Sequence, residues 1–153
     1  HTVNLWYTER ISCDDYLSAL AWMSDRYKND DTIIAYDLKN EPHGKPYEGS
    51  EAAKWDASED DNNWRYVATE AAMTVLSNNP NALVMVEGTE IYPVDIKSNG
   101  DFSSTNEDDY YFNWWGGNLR GVADYPIDLG EYQDKLVYSP HDYGPTVYEQ
   151  PWF

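Results

Sequence analysis

The chain of 153 residues can bury one ordinary core and reads as a single domain. Its 28 acidic against 10 basic residues leave a net charge of -18, which excludes nucleic-acid phosphates and an anionic membrane surface as partners and serves most simply as a solubility feature. The single cysteine, Cys13, excludes an internal disulfide and a cysteine-based zinc site, and no run of about 18 apolar residues is present to span a membrane.

In chain order, Asp14 or Asp15 can cap a first helix running to about Tyr27. Leu17, Leu20, Ala21 and Ser24 share one face of it, and Asn29-Asp30-Asp31 ends it. Thr32 to Leu38 is a continuous apolar run, expected of a parallel strand buried on both faces. A polar, Gly- and Glu-rich insertion follows to about Asn62. Trp64, Val67, Ala68, Ala71, Ala72 and Val75 then fall at steps of three and four on a second helix, stopped by Asn79-Pro80. Leu83 to Val86 and Leu136 to Ser139 are two further short strands, so strand and helix alternate with right-handed parallel crossovers. Between them lies a long excursion, Thr89 to Gln133, whose acidic, Ser/Asn-rich stretch from Ser98 to Asp109 lacks the spacing of a calcium loop. No metal site or cofactor is expected.

The most informative residues are Asp37-Leu38-Lys39-Asn40-Glu41-Pro42-His43-Gly44, directly after the first strand. Pro42 and Gly44 stop the strand, so the Glu41 carboxyl sits at a strand's carboxyl end, where α/β folds place their chemistry. Aromatic residues form 16% of the chain, with seven Trp and fourteen Tyr, and flat rings with a polar tip suit the faces of sugars. Composition does not separate such rings from core. Of the adjacent pair Trp114-Trp115, consecutive residues in an extended loop point opposite ways, so one is expected to stack on a ligand and one to pack. Glu87 and Tyr92, at and just beyond a strand end, can line the same cleft, although Glu87 can equally bind backbone amides of the loop that follows it.

The octet around Glu41 resembles the acid/base signature of glycoside hydrolase family 5, the cellulases and related β-glycanases. Trp6-Tyr7-Thr8 looks like the segment after barrel strand three. Leu76 through Ala82 to Val86-Glu87-Gly88 looks like the approach to strand five and that strand. Trp114-Trp115-Gly116-Gly117-Asn118-Leu119 looks like the loop after it, and Leu136 through His141-Asp142-Tyr143 looks like strand six with its His-x-Tyr. The likeness is closest to bacterial endo-β-1,4-glucanases. It implies an α/β fold that is part of a (β/α)8 TIM barrel, about strands 4 to 6 with their helices and long βα loops. A whole barrel needs at least about 200 residues. Residues 1–153 are therefore expected to be a partial catalytic domain, with strands one and two preceding His1 and the nucleophile-bearing strand seven following Phe153.

The resemblance further implies retaining hydrolysis by two carboxyls about 5 to 5.5 Å apart, with Glu41 as general acid/base and its pKa raised by burial and the second carboxylate. Asn40 matches the position that bonds the sugar 2-hydroxyl. His141 matches a member of the catalytic carboxyl network, and Tyr143 matches the residue that positions the nucleophile or the bound sugar. Trp114 and Trp115 are the first choices for sugar stacking, with Trp6, Tyr7 and Tyr92 behind them. Gly130-Glu131-Tyr132 imitates the nucleophile turn but precedes strand six and lacks the closing glycine, so Glu131 is rejected. The expected partners are a β-glucan such as cellulose and, across unpaired sheet edges, the rest of the barrel or a second copy of the chain. Alone, the chain is expected to be inactive. Two other readings stand beside this one: a non-catalytic glycan-binding fragment, and a family 5 enzyme on mannan or xylan. An extracellular address follows from the resemblance alone.

Overall fold

The computed structural model describes residues 3–98 and 100–153. Helix α1 spans Cys13–Arg26, strand β1 Ala35–Asp37, helix α2 Trp64–Asn78 and strand β2 Leu83–Val86. Strands β3 (Ile91–Pro93), β4 (Tyr110–Phe112) and β5 (Leu136–Tyr138) follow. The cap of α1 is Ser12 rather than Asp14 or Asp15. Its hydroxyl accepts from the Asp15 amide at 3.1 Å while the Asp15 carboxylate accepts from the Ser12 amide at 2.9 Å, a reciprocal capping box that gives Asp15 the third helical position.

Asn63 caps α2, accepting from the Tyr66 amide while its own side-chain amide donates to Asp56 and Ser58. The α2 face read from the sequence is the buried one: Trp64, Val67, Ala68, Ala71, Ala72 and Val75 are all buried. Asn78 near the end of α2 donates to the Ala21 carbonyl and the Ser24 hydroxyl of α1, tying the two helices together.

Strands β1, β2 and β5 form a parallel sheet in the order β1-β2-β5, with Tyr36 opposite Val84 and Val84 opposite Leu136. Tyr36, Val84 and Val86 lie in one core with the apolar face of α2. The opposite face of the sheet, carrying Ala35, Asp37, Leu83, Met85 and Val137, is only half-buried or exposed. The expectation of a strand buried on both faces over Thr32 to Leu38 is thus corrected. Three residues pair, Ile34 beside them is 75% exposed, and among the described residues helices cover one face alone.

The long excursion after β2 is not featureless. It folds β3 against β4 as an antiparallel ribbon, with a short 3-10 turn at Glu107–Asp109 leading into β4, and returns through 3-10 turns at Arg120–Ala123 and Gly130–Lys135. Glu131 lies exposed in the last of these, ahead of the amino end of β5, whereas Glu41 lies past the carboxyl end of β1. Among the described residues no helix is long and apolar enough to cross a membrane. Among the described residues β1 and β5 each pair only with β2, leaving their outer edges open.

Candidate active site

After β1 the chain turns sharply, and Glu41 adopts φ 52°, a left-handed conformation that costs a non-glycine residue on the order of 1 kcal/mol. Two carboxylates from beyond β2 hold the turn. The Glu41 amide donates to Glu87 Oε2 at 2.8 Å, and the Gly44 amide donates to Glu90 Oε2 at 3.0 Å. Two hydrogen bonds to buried carboxyl oxygens offset the strain. The His43 ring nitrogen Nδ1 lies 2.6 Å from the Glu41 carbonyl and closes the turn from the other side.

The Glu41 side chain is 10% exposed. Its Oε1 accepts from the Tyr143 hydroxyl at 2.7 Å and faces His141 Nδ1 at 3.0 Å, while the Asn40 side-chain amide reaches Oε2 at a long 3.4 Å. Burial pushes the Glu41 pKa up, but the donors His141, Tyr143 and Asn40 and the imidazolium charge outweigh it, and the net shift is downward. Within this chain the neighbours of Glu41 are donors, and the upward shift expected from the sequence depends on the charge of a second carboxylate beside it. Tyr143, expected to position the nucleophile or the sugar, binds Glu41 itself.

Behind Glu41 sits Glu87, fully buried. Its Oε1 lies 3.1 Å from His141 Nε2, an ion-pair contact out of line for a hydrogen bond, so charge rather than a directed donor holds that oxygen. Desolvation first, and then the facing carboxyl of Asp37, push the Glu87 pKa up to about 7, against the opposing Glu41 amide and His141 charge. Burial alone would depress the imidazolium of His141, yet the hydrogen bond to Glu41 and the charges of Glu87, Glu41 and Asp37 outweigh it and hold its pKa up. Room for the Glu87 carboxylate depends on Gly116. A Cβ there would lie 2.1 Å from Glu87 Oε2, and the residue's φ of 70° is left-handed as well. Asp37, Glu87 and His141 present ligand atoms within 4.8 Å of one another, a donor set that suits a divalent cation. Both imidazole nitrogens already face carboxylates.

A cavity of about 630 Å³ opens beside Glu41, walled by Trp114, Trp115, Phe112, Lys45, Glu90 and Tyr143. Trp115 is 39% exposed, and its ring stacks on His43 at 4.0 Å and 8° and donates from Nε1 to Glu90 Oε1 at 3.1 Å. Trp114 meets Tyr143 and Trp152 edge-on, with its indole nitrogen buried and without a hydrogen-bond partner. Glu90 also pairs with Lys45 at 3.1 Å, so this one buried carboxylate organises the turn, the indole and an ammonium.

Three of the expected sugar-binding residues lie elsewhere. Trp6 is buried against Trp64 with ring centroids 4.8 Å apart, a core position rather than a platform. Tyr92 is buried on β3 against Phe102, its hydroxyl donating to Asp124 at 2.9 Å. Tyr7 donates to Glu51 at 2.9 Å and lines a cavity separate from the one beside Glu41. Glu90 was not singled out in the sequence, and Glu87 binds an amide of the β1 turn rather than of its own loop. The available signal was two acids bracketing Gly88-Thr89 directly after an apolar strand, with no basic residue beside them.

Parallel strands with a carboxyl, imidazole and phenol gathered past their carboxyl ends, opening on an indole-walled cleft, define a segment of a (β/α)8 barrel bearing part of its site. The sequence model of the cellulase family, glycosyl hydrolase family 5, matches residues 1–153, and the chain belongs to that family. Endoglucanase B of Acetivibrio thermocellus is 54% identical over 160 residues, covering 100% of this chain and 28% of that protein. The major extracellular endoglucanase of Xanthomonas campestris is 34% identical over 149 residues, covering 97% of this chain and 26% of that protein. A solved structure of an endocellulase from Pyrococcus horikoshii in complex with cellotetraose superposes with a TM-score of 0.81 at 36% identity, over 100% of this chain and 40% of that one. The chain thus spans less than a third of the length of these two curated relatives.

Proposed function

We propose that this chain supplies the acid/base half of a retaining endo-β-1,4-glucanase. The observation that carries the reading is Glu41: a nearly buried carboxyl at the carboxyl end of a parallel strand, held by His141 and Tyr143 and facing a cleft with an exposed indole. Such a carboxyl donates its proton to the leaving glycosidic oxygen and later takes one from water. Asn40, exposed beside it, would bond the sugar 2-hydroxyl, and Trp115, with one face on His43, would offer the other to a glucose ring.

Retention needs a second carboxyl as nucleophile. Glu87 is fully buried, and Glu90 is committed to Gly44, Trp115 and Lys45, so neither is free to attack. The nucleophile belongs to the rest of the enzyme, as the family resemblance implies. Its negative charge beside Glu41 would raise the acid's pKa into working range, reversing the downward shift that the donors alone produce. An extracellular setting, on a glucan too large to enter a cell, fits the extracellular Xanthomonas relative.

The test is hydrolysis by the complete enzyme carrying this segment. A rapid fall in the viscosity of carboxymethylcellulose is expected. Cleavage of mannan or xylan but not of carboxymethylcellulose would move the substrate, and retained cellulose binding without cleavage of any glycan would replace the enzyme reading with a binding one.

A further inference from the structure

We propose that Glu87 is a positioning residue for the acid carboxyl of Glu41, holding the Glu41 backbone through one carboxylate oxygen and the His141 imidazole through the other. The inference rests on the reading of Glu41 as the acid. Its geometric basis is that Glu87 touches neither its own loop's amides nor the open cleft. It reaches the backbone of the acid at 2.8 Å and the ring that faces the acid's carboxyl at 3.1 Å. Those two contacts come from segments that follow different strands, β1 and β5, so one side chain just past the central strand sets the distance between them.

Burying a carboxyl completely is costly, and a fold that required only packing at this position would place an apolar residue there. Instead the surroundings are built around the carboxyl group. Gly116 leaves the space that any Cβ would fill, at 2.1 Å from Oε2. The Trp64 indole donates to the Glu87 carbonyl at 2.9 Å and fixes the residue's own backbone. Asp37 and Lys39, from β1 and the turn after it, and His141, past β5, are the titratable groups that face the carboxyl. The left-handed φ of Glu41 makes the arrangement consequential. Without an acceptor for its amide the turn relaxes, and the acid's carboxyl moves with it.

The experiment uses the complete enzyme with Glu87→Leu, Glu87→Gln and Glu41→Gln side by side, on cellotetraose and on an aryl cellobioside whose leaving group needs no proton. Glu87→Leu should lower kcat/KM, which reports the acid-assisted first step, about a hundredfold on cellotetraose and only a few-fold on the aryl substrate, because acid assistance is worth about 10²- to 10⁴-fold. Glu87→Gln should recover part of the loss, since its amide oxygen still accepts the Glu41 amide while its NH2 meets the imidazolium donor-to-donor and gives up that contact. Where the leucine variant does not fold, Glu87→Asp, one methylene too short to reach both partners, should show the same selectivity in weaker form. Equal loss on the two substrates, or no loss on either, overturns the positioning role. Glu41→Gln separates the two ideas. If it shows leaving-group selectivity and the Glu87 variants do not, only the positioning role fails; if it shows none, the acid reading fails with it.

Discussion

The turns after β1 and β2 each present a glutamate past the end of a parallel strand, and the two residues touch, yet their carboxyls are held in opposite states. Glu41 faces donors from three side chains and is drawn toward its ionised form. Glu87, a few ångströms behind it, is desolvated and faces Asp37, and is drawn toward its protonated form. Position on the sheet made neither of them acidic or basic. The difference is that one turn opens on the indole-walled cleft while the other is sealed by the excursion that returns through Gly116. A carboxyl pair split in this way is how acid/base roles are assigned in active sites generally. Here the more perturbed member is the hidden one.

Gly116→Ala should disturb the comparison most. The new methyl group collides with the Glu87 carboxylate and imposes a left-handed alanine, so we expect a loss of stability on the order of 3 kcal/mol and loss of activity in the complete enzyme, read by calorimetry and turnover.

The pH dependence of stability sharpens it further. Glu87 has a folded pKa raised from 4.5 to about 7, so its contribution is fully present below 4.5 and is lost as pH rises toward 7. His141, also raised, runs the same way, its contribution present below 6.5 and lost above its folded pKa. Glu41, lowered, runs oppositely, contributing above 4.5 and losing that contribution as pH falls through its folded pKa. The thermal midpoint should therefore decline between pH 4.5 and 7, and Glu87→Gln should flatten that decline, at about 2 to 4 °C for each kcal/mol of linkage.

The smallest effect belongs to Tyr143→Phe. Removing the phenol donor from Glu41 Oε1 should raise the Glu41 pKa while leaving Glu87 nearly untouched, seen in a carbon-13 titration of the two carboxyls.

Much of this was legible in the sequence where local patterns decide. The α2 face, the strand Leu83 to Val86 and the turn bearing Glu41 all follow from spacing and from Pro and Gly, and the structure places them as read. His141 and Tyr143, about a hundred positions away, were found through the motif, and the structure brings both to Glu41. Trp6 and Tyr92 misled because an aromatic residue carries no mark of its neighbours. Trp64 on α2 covers the first, and Phe102 and Asp124 from the long excursion cover the second. The organising role of Glu90 was invisible for the same reason, since its partners Gly44, Lys45 and Trp115 come from two other loops. Ser12 lost the cap to Asp14 and Asp15 in the sequence because a capping box shares the task between two residues three apart.

The most direct measurement is the turnover of Glu41→Gln in the complete enzyme on a β-1,4-glucan oligomer and on an activated aryl cellobioside. In kcat/KM, which reports the first step alone, a loss of about two to four orders of magnitude on the oligomer with a far smaller loss on the aryl substrate is predicted for a carboxyl that protonates the leaving oxygen. Equal loss on both would show that Glu41 does not serve as the acid.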